Sequence, residues 1–471
     1  MSRYLAIDQG GHASRAILFD TSGRLIASAE RPTGTHHPAP AWVEHDPNEV
    51  VQSVQHALDV LAQNAARESI SAAGLATQRS SIVCWDRTTG EPLSPVISWQ
   101  DRRAADALTP FVPDRADIHR RTGLMLSPHY GASKLRWCLD HLPVVARARE
   151  ERRLAFGPLA SFLLFRLLAE HPLVADPANA QRTQLWSLAT RDWDDVLLER
   201  FGIPRSCLPD CVPTQHAFGT LRIAGQSVPL TISQGDQPAA LFADGTPRPE
   251  FAYINIGTGA FVQRTYNEIA THPRLLTSLV WERNNARVYV LEGTVNGAGA
   301  ALDWVAERHA IEDITRELPL WFLSDTEPPL FLNGVGGLAA PYWVSDFESR
   351  FMGTGSTAQE AVAVAESIVF LLQANLDELA GIGAPIAHIV VTGGLSQLDG
   401  LCQRMADLSG LPVWRPEEHE ATARGLACLV AEIPRSWSMA EDVRFESRPS
   451  PKLRQRYARW RQAMDDAVGR D

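Results

Sequence analysis

Tyr4-Leu-Ala-Ile-Asp8-Gln-Gly10-Gly11-His12-Ala-Ser14-Arg15-Ala-Ile-Leu-Phe19-Asp20 is the stretch whose reading decides the fold. Apolar β-formers run into Asp8-Gln9-Gly10-Gly11, a few small or polar residues follow, and apolar residues resume. The pattern predicts a strand, a tight glycine turn and a second strand. Glycines at the turn let the backbone approach a ligand closely and leave amide N–H groups free for an anion. Asp8, at the end of the first strand, is placed to meet a hydrated metal ion. Taken alone, the stretch is better read as a plain surface hairpin.

A second copy changes that balance. Phe251-Ala-Tyr253-Ile-Asn255-Ile-Gly257-Thr258-Gly259-Ala-Phe261-Val262 repeats the order of strand, glycine turn and strand, and Ile7-Asp8-Gln9-Gly10 aligns with Ile254-Asn255-Ile256-Gly257. Two phosphate-type hairpins at equivalent places predict a duplicated domain with a nucleotide between the halves.

The chain's 471 residues predict two or three domains with ample core. Its hydrophobic content of 45% and charged content of 21% are those of an ordinary globular protein. A formal net charge of −11 argues against nucleic acid or an anionic membrane as partner, but a phosphate ligand needs only a local field. The six cysteines (84, 138, 207, 211, 402 and 428) are scattered, and only Cys207 and Cys211 are close, with no His or Cys pair at zinc-site spacing. They read as reduced, mostly buried thiols of a cytoplasmic protein. The N-terminus enters a strand almost at once, so no secretory signal is expected. Leu154 to Ala169 is the most apolar segment; broken by Gly157-Pro158 and Arg166, it is too short to span a bilayer and reads as a buried helix.

Only Lys134 and Lys452 are lysines, and neither follows a glycine-rich loop. P-loop enzymes and protein kinases both place a lysine on the phosphates. A chain like this one that handles ATP must hold phosphate with backbone amides, hydroxyls, arginine and metal.

After the first hairpin comes a third antiparallel strand, Leu25 to Glu30, and then Asp46-Pro47-Asn-Glu49, a helix start with Asp46 as cap, Pro47 at the first position and Glu49 three residues on. That helix is expected to run to about Arg67, followed by a strand over 70–77. Residues 105–225 read as mostly helical. Strand 228–232 leads to Ser233-Gln-Gly235-Asp236-Gln237-Pro238, where Pro238 suits a first helical position and sets Asp236 at a helix N-terminal end. The second half continues with strand 288–292, helix 297–308, helix 358–379, strand 388–391, the loop Thr392-Gly393-Gly394, helix 421–432 and a charged helix 449–468. Hairpins followed by βα units, twice over, imply two α/β lobes.

In their order these motifs resemble the FGGY family of carbohydrate kinases, nearest its glycerol kinases. The matches are Ala6-Ile-Asp-Gln-Gly10, Trp42-Val-Glu-His-Asp-Pro47, Thr77-Gln-Arg79, Trp99-Gln-Asp-Arg-Arg103, Gly235-Asp-Gln-Pro-Ala-Ala-Leu241, Gly257-Thr-Gly259, Ala340-Pro-Tyr-Trp343 and Gly393-Gly394. The resemblance implies an α/β, two-lobed ATPase fold of the actin, hexokinase and Hsp70 kind, built from duplicated ribonuclease H-like domains. The divisions expected from it are 1–244 with the acceptor pocket, 245–435 with the adenosine loop, and 436–471 as a helical tail. It implies ATP and Mg2+, a small polyol or sugar as the other partner, and leaves a homodimer open.

The resemblance also implies roles for individual residues. Asp236 matches the general base, whose carboxylate at a helix N-terminus is expected to stay ionised, although it is equally placed merely to cap that helix. Asp8 matches the metal-side aspartate. Arg79, Trp99, Gln237 and Phe261 match residues of the acceptor pocket, a guanidinium fork for two hydroxyls and aromatic walls for carbon-bound hydrogens. Gly10, Arg15, Gly257, Thr258, Gly299, Gly393 and Gly394 match the phosphate and adenosine loops.

Departures from that pattern are as informative. Gly11 and His12 stand where glycerol kinases carry threonines, and Ala13 replaces a serine, so phosphate donors are lost, though a histidine can return one. Ser80 replaces a glutamate that accepts from glycerol hydroxyls, His129 a pocket tyrosine, and Asp303 a glutamine near the ribose. An acceptor other than glycerol is therefore expected. The alternative is a weakened relative that binds sugar or nucleotide with little turnover.

Overall fold

Two mixed sheets carry the duplicated plan in the computed structural model, which describes residues 2–64, 69–324, 326–416, 420–433, 437 and 442–469. The first sheet contains β1 (Tyr4–Gln9), β2 (Ala13–Phe19), β3 (Leu25–Pro32), β4 (Ala72–Thr77), β5 (Gln215–Ile223) and β6 (Gln226–Gly235), in the order β5-β6-β4-β1-β2-β3. The second contains β7 (Phe251–Ile256), β8 (Ala260–Tyr266), β9 (Leu276–Arg283), β10 (Ala286–Val295), β11 (His388–Thr392), β12 (Val413–Pro416) and β13 (Asp442–Phe445), in the order β9-β10-β8-β7-β11-β12-β13. In each sheet an antiparallel glycine hairpin lies beside a parallel partner: β1 against β4, β7 against β11. Asp8 and Asn255 thus occupy equivalent positions at the ends of the two inner strands, as the repeat predicts.

A four-stranded sheet in the first lobe pairs Ile82–Asp86 with Leu154–Pro158 on one side and Val96–Ile97 on the other, with Glu44–His45 at its edge. In it Ile82 lies opposite Ile97. The segment ending at Ser81 and the one beginning at Ser98 therefore leave the sheet at one edge.

Several expectations are corrected. Leu154–Pro158 is a strand and only Leu159–Leu167 is helical. Gly157-Pro158 ends the strand, and every residue of the strand is buried, so an apolar run alone did not distinguish the two states. β5 lies within the stretch read as mostly helical, and β9 precedes the strand expected at 288–292. The helix Pro47–Asn64 is capped by Asp46, whose carboxylate accepts from the Asn48 and Glu49 amides at 2.8 and 3.2 Å. Glu49 does not close a capping box; it accepts from the Gly34 amide at 2.8 Å. The expected end of that helix near Arg67 lies outside the described residues. The C-terminal helix Pro451–Ala467 is no free tail, for it buries Leu453, Arg456, Trp460 and Met464 in the core of the second lobe. All six cysteines are free thiols, and no helix among the described residues is long and apolar enough to cross a membrane.

The helix Ala421–Val430 joins the lobes. It lies between β12 and β13 of the second sheet in sequence but packs on the first, where Leu426 and Val430 close over Gly74 of β4 so tightly that a Cβ there would come within 2.8 Å of both. Gly425 passes the helix Asp236–Ala240 so closely that a Cβ would overlap the Ala239 carbonyl oxygen. Substituting Gly425→Ala must push the two helices apart, and the expected outcome is a loss of at least about 2 kcal/mol in urea unfolding, despite alanine's better helix propensity.

Candidate active site

The glycine turns position the first set of groups. At the first hairpin the Gly10 amide closes the turn on the Ala13 carbonyl at 2.9 Å. A Cβ at Gly10 or Gly11 would meet nothing in the chain nearer than 3.6 or 3.9 Å, so the fold does not itself demand glycine there and open space lies beside the turn. His12 is exposed and Ala13 half-buried. Arg15, opposite Asp8 in the register, is held by Glu30 at 3.0 Å and reaches Glu420, at the start of the Ala421–Val430 helix, at 2.9 Å.

In the second hairpin, Gly257 donates to the Gly259 carbonyl at 2.8 Å and accepts from the Gly299 amide at 2.9 Å, while the Thr258 carbonyl accepts from the Ala298 and Ala300 amides. Gly257, Thr258 and Gly299 are thereby brought together. Asp303 is exposed on the helix Gly299–His309. The two loop glycines after β11 differ. Gly393, at φ +91°, has no room for a Cβ beside the Ile256 backbone, whereas Gly394 has nothing within 4 Å and opens onto a cavity.

That cavity, of about 350 Å³, is lined by Asp8, Arg15, Asn255, Thr392, Gly393, Gly394 and Glu420 among others. A second, of about 400 Å³, is lined by Asp236, Gln237, Phe261 and Gln263 and runs down to Tyr253. The two share Ala240, Asn255, Thr392, Pro416, Ala421 and Thr422, which makes one continuous cleft with Asp8 in one half and Asp236 in the other.

Asp236 opens the short helix Asp236–Ala240, two residues before the position its sequence suggested, and accepts from the Gln237 amide at 2.7 Å. Gly235 before it is required because the Arg79 side chain crosses the place a Cβ would fill. The helix terminus does not keep Asp236 at an ordinary acidity. Burial pushes its proton affinity up, opposed by Arg79, the Gln237 amide and Arg182. Asp8 is pushed to about 7, chiefly by burial and then by the facing charge of Asp236. A carboxylate so placed is short of positive charge, and a divalent cation would supply it. Among the described residues no group of three or more His, Cys, Asp and Glu converges on a metal position. A cation at Asp8 would then take most of its oxygens from ligand and water, the habit of magnesium.

Arg79 is buried, donates to the Gln237 side-chain oxygen and lies 3.7 Å from Glu292. Ser80 adopts a left-handed backbone at φ +65°. Trp99 is 43% exposed and lines neither cavity. His129 Nδ1 lies 3.0 Å from the Trp99 carbonyl, which can only accept, so Nδ1 carries the hydrogen and Nε2 is left with a lone pair. Burial lowers the proton affinity of His129, which keeps it neutral at pH 7.

Sequence reading missed the charges beneath this pocket. Glu292 of β10 is fully buried and accepts from Arg182 at 2.9 Å and Gln263 at 2.6 Å. Burial alone would raise its proton affinity, but Arg182 and Arg79 hold it below the usual range. An acid in the otherwise apolar run Val288-Tyr-Val-Leu-Glu292 was the available signal.

Apo-protein stability should depend on Asp8. Its folded form keeps a proton up to about pH 7 whereas an unfolded aspartate loses it near pH 3.8. The folded state therefore binds more protons between those values, and this contribution to stability falls as pH rises across the window. Asp8→Asn is expected to remove that part of the slope in urea unfolding between pH 4.5 and 7.5 without metal; an unchanged slope contradicts the assignment.

Comparison with known proteins places this geometry. Residues 3–243 match the N-terminal domain, and residues 252–431 the C-terminal domain, of the FGGY family of carbohydrate kinases. The chain is 35% identical to a glycerol kinase of Alkalilimnicola ehrlichii, with 100% of this chain and 99% of that protein covered. In fold it is similar to a glycerol kinase of Plasmodium falciparum solved with ADP, at a TM-score of 0.91, 23% identity and 99% and 98% coverage. A gluconate kinase of Lactobacillus acidophilus shares the fold at 0.84, with 20% identity and 99% and 98% coverage.

Proposed function

We propose that this chain, which belongs to the FGGY family of carbohydrate kinases, passes the γ-phosphoryl group of ATP to a hydroxyl of a small neutral polyol or sugar, with Asp236 as general base. The observation that carries this reading is the continuous cleft holding Asp8 in one half and Asp236 in the other. Magnesium, when bound beside Asp8, would neutralise phosphate charge. The remaining work falls to the chain's own residues. The amides of the two glycine turns other than those of Gly10 and Gly257, which close the turns themselves, hold the nucleotide together with the Gly393-Gly394 loop. Arg79, Gln237, Trp99, Phe261 and His129 hold the acceptor. Its hydroxyl proton passes to an Asp236 oxygen as its own oxygen bonds phosphorus, and the bond from the γ-phosphorus to the bridging oxygen of ADP breaks. Burial that raises the basicity of Asp236 suits this step, while loose phosphoryl transfer asks little more of a base than orientation.

A neutral acceptor is favoured because the pocket cations are already balanced. Arg79 and Arg182 face Glu292 and Asp236, so an anionic acceptor would have to compete with buried carboxylates. Glycerol is disfavoured by Ser80, which lacks the carboxylate of the resemblance. Each charge-assisted hydrogen bond lost costs roughly 1.5–3 kcal/mol. His129 Nε2 offers a neutral acceptor in its place and suits a longer polyol or ketose.

A coupled ADP-release screen over C3 to C7 polyols and ketoses tests the reaction. The expected result is turnover on one of the longer acceptors, falling roughly 10²–10⁴-fold in Asp236→Asn. Nucleotide binding with no transfer to any of them would favour the weakened alternative, and activity surviving in Asp236→Asn would remove Asp236 from its role. Restoring the acid with Ser80→Glu should raise kcat/KM for glycerol about tenfold or more, the equivalent of one such hydrogen bond. Micromolar KM for glycerol in the unaltered chain would refute the altered specificity.

A further inference from the structure

Two of the 44 lysine and arginine residues are lysines, and one of them, Lys134, is fully buried. It sits in the first turns of the helix Gly131–His141, beneath the acceptor pocket. Its ammonium donates to the Ser98 carbonyl at 2.7 Å, the His129 carbonyl at 2.8 Å and the Ser80 carbonyl at 3.4 Å. Each of those carbonyls belongs to, or directly precedes, a different wall of the pocket: Ser80 after Arg79, Ser98 before Trp99, and His129 itself. The segments at Ser80 and Ser98 adjoin the paired strands at Ile82 and Ile97 and are tied by the Trp99 amide donating to Ser81 Oγ at 3.0 Å, whereas the His129 segment belongs to no strand of that sheet.

We propose that Lys134 is the positioning residue of the acceptor pocket, fixing the three segments that carry Ser80, Trp99 and His129 through one ammonium group without touching the acceptor. The inference rests on the reading of those three residues as acceptor-binding. An ammonium is a compact charge with three divergent donors, whereas a guanidinium donates in one plane. A chain that otherwise uses arginine for nearly every cation keeps lysine here, where three carbonyls must be met from three directions. The charge is held against burial, which draws its proton affinity down to about 7, by those carbonyls and by buried Asp101, while Arg103 opposes it. Removing the donors frees each segment at its end nearest the acceptor, and so loosens the pocket but not the nucleotide half of the cleft.

The test compares Lys134→Met and Lys134→Arg with the unaltered full-length chain. In Lys134→Met, amide hydrogen exchange over 79–82, 98–101 and 127–131 should accelerate together, at least tenfold, while exchange in β1 is unchanged. KM for the best acceptor of the polyol and ketose screen should rise at least tenfold, with KM for ATP within twofold. Lys134→Arg, which retains the charge but not the three directions, should recover only part of either effect and serves alone should the methionine variant not fold. Unchanged exchange in the three segments, or an equal rise in KM for ATP and acceptor, overturns the proposal. Three loosened segments in a protein whose unaltered form phosphorylates no polyol or ketose would sink the acceptor reading and sustain the strut.

Discussion

Everything on the acceptor side of the cleft depends on one buried carboxylate. Glu292 belongs to the second lobe, and the two arginines that neutralise it, Arg79 and Arg182, belong to the first. A buried ion pair adds little net stability over apolar packing, yet removing one partner leaves an uncompensated charge worth about 3–5 kcal/mol. The pairing therefore acts as a condition on geometry more than as glue: the lobes must meet where both arginines reach Glu292. Neighbouring contacts satisfy the same condition. Gln181 bonds the Thr122 and Thr277 carbonyls at 2.7 and 2.6 Å and the Leu279 amide at 3.0 Å, so the segment that carries Arg182 is stitched to β9 by neutral bonds as well. Arg79, so constrained, must cross over residue 235, and only glycine leaves it the room.

The nucleotide side obeys the opposite logic. Asp8 meets the charge of Asp236 from across the cleft and has no cation of its own, for Arg15, opposite it in the register, is shared with Glu30 and Glu420. One half of the cleft is electrostatically complete without ligand, and the other carries excess negative charge. A site that must take up a nucleotide with its cation, and release it after reaction, is better left short of charge than saturated. A pocket that must hold a hydroxyl in line for attack is better built on groups that do not move.

The legible part of this plan is the part written locally. Both glycine hairpins, the third antiparallel strand, the Asp46 cap and the long helix at Thr357–Ala380 follow from short-range pattern, and each lies where its sequence puts it. Elements whose identity depends on what they pack against were misread. Leu154–Pro158 is apolar because it is a buried strand, β5 is interrupted by Gly219, and β9 buries Thr277 and Ser278 beside its apolar residues, so neither shows a simple strand alternation. The site divides in the same way. Asp236, Phe261, Gly257 and Gly393 sit at turns or element ends, where a residue type and a backbone demand coincide. Glu292 and Lys134 lie inside elements and Arg182 just past the end of one, and their roles exist only once distant segments meet. The two lysines were conspicuous in composition, but what Lys134 does could not be read before the Ser80, Ser98 and His129 carbonyls were in place.

The frame and the specificity of this pocket are carried by different atoms. Lys134 holds backbone carbonyls, Glu292 holds the Arg79 guanidinium, and the paired strands Ile82–Asp86 and Val96–Ile97 fix where two walls begin. None of these contacts involves the side chain of Ser80, and among the described residues the His129 side chain is hydrogen-bonded to the frame through Nδ1, to the Trp99 carbonyl. A carboxylate can thus give way to a serine and a phenol to an imidazole while the backbone that presents them keeps its course. On the proposed assignment of Ser80 and His129 to the acceptor, specificity changes at low structural cost because the buried charges bind main chain and arginine, leaving the side-chain tips of residues 80 and 129 outside the network that holds the lobes.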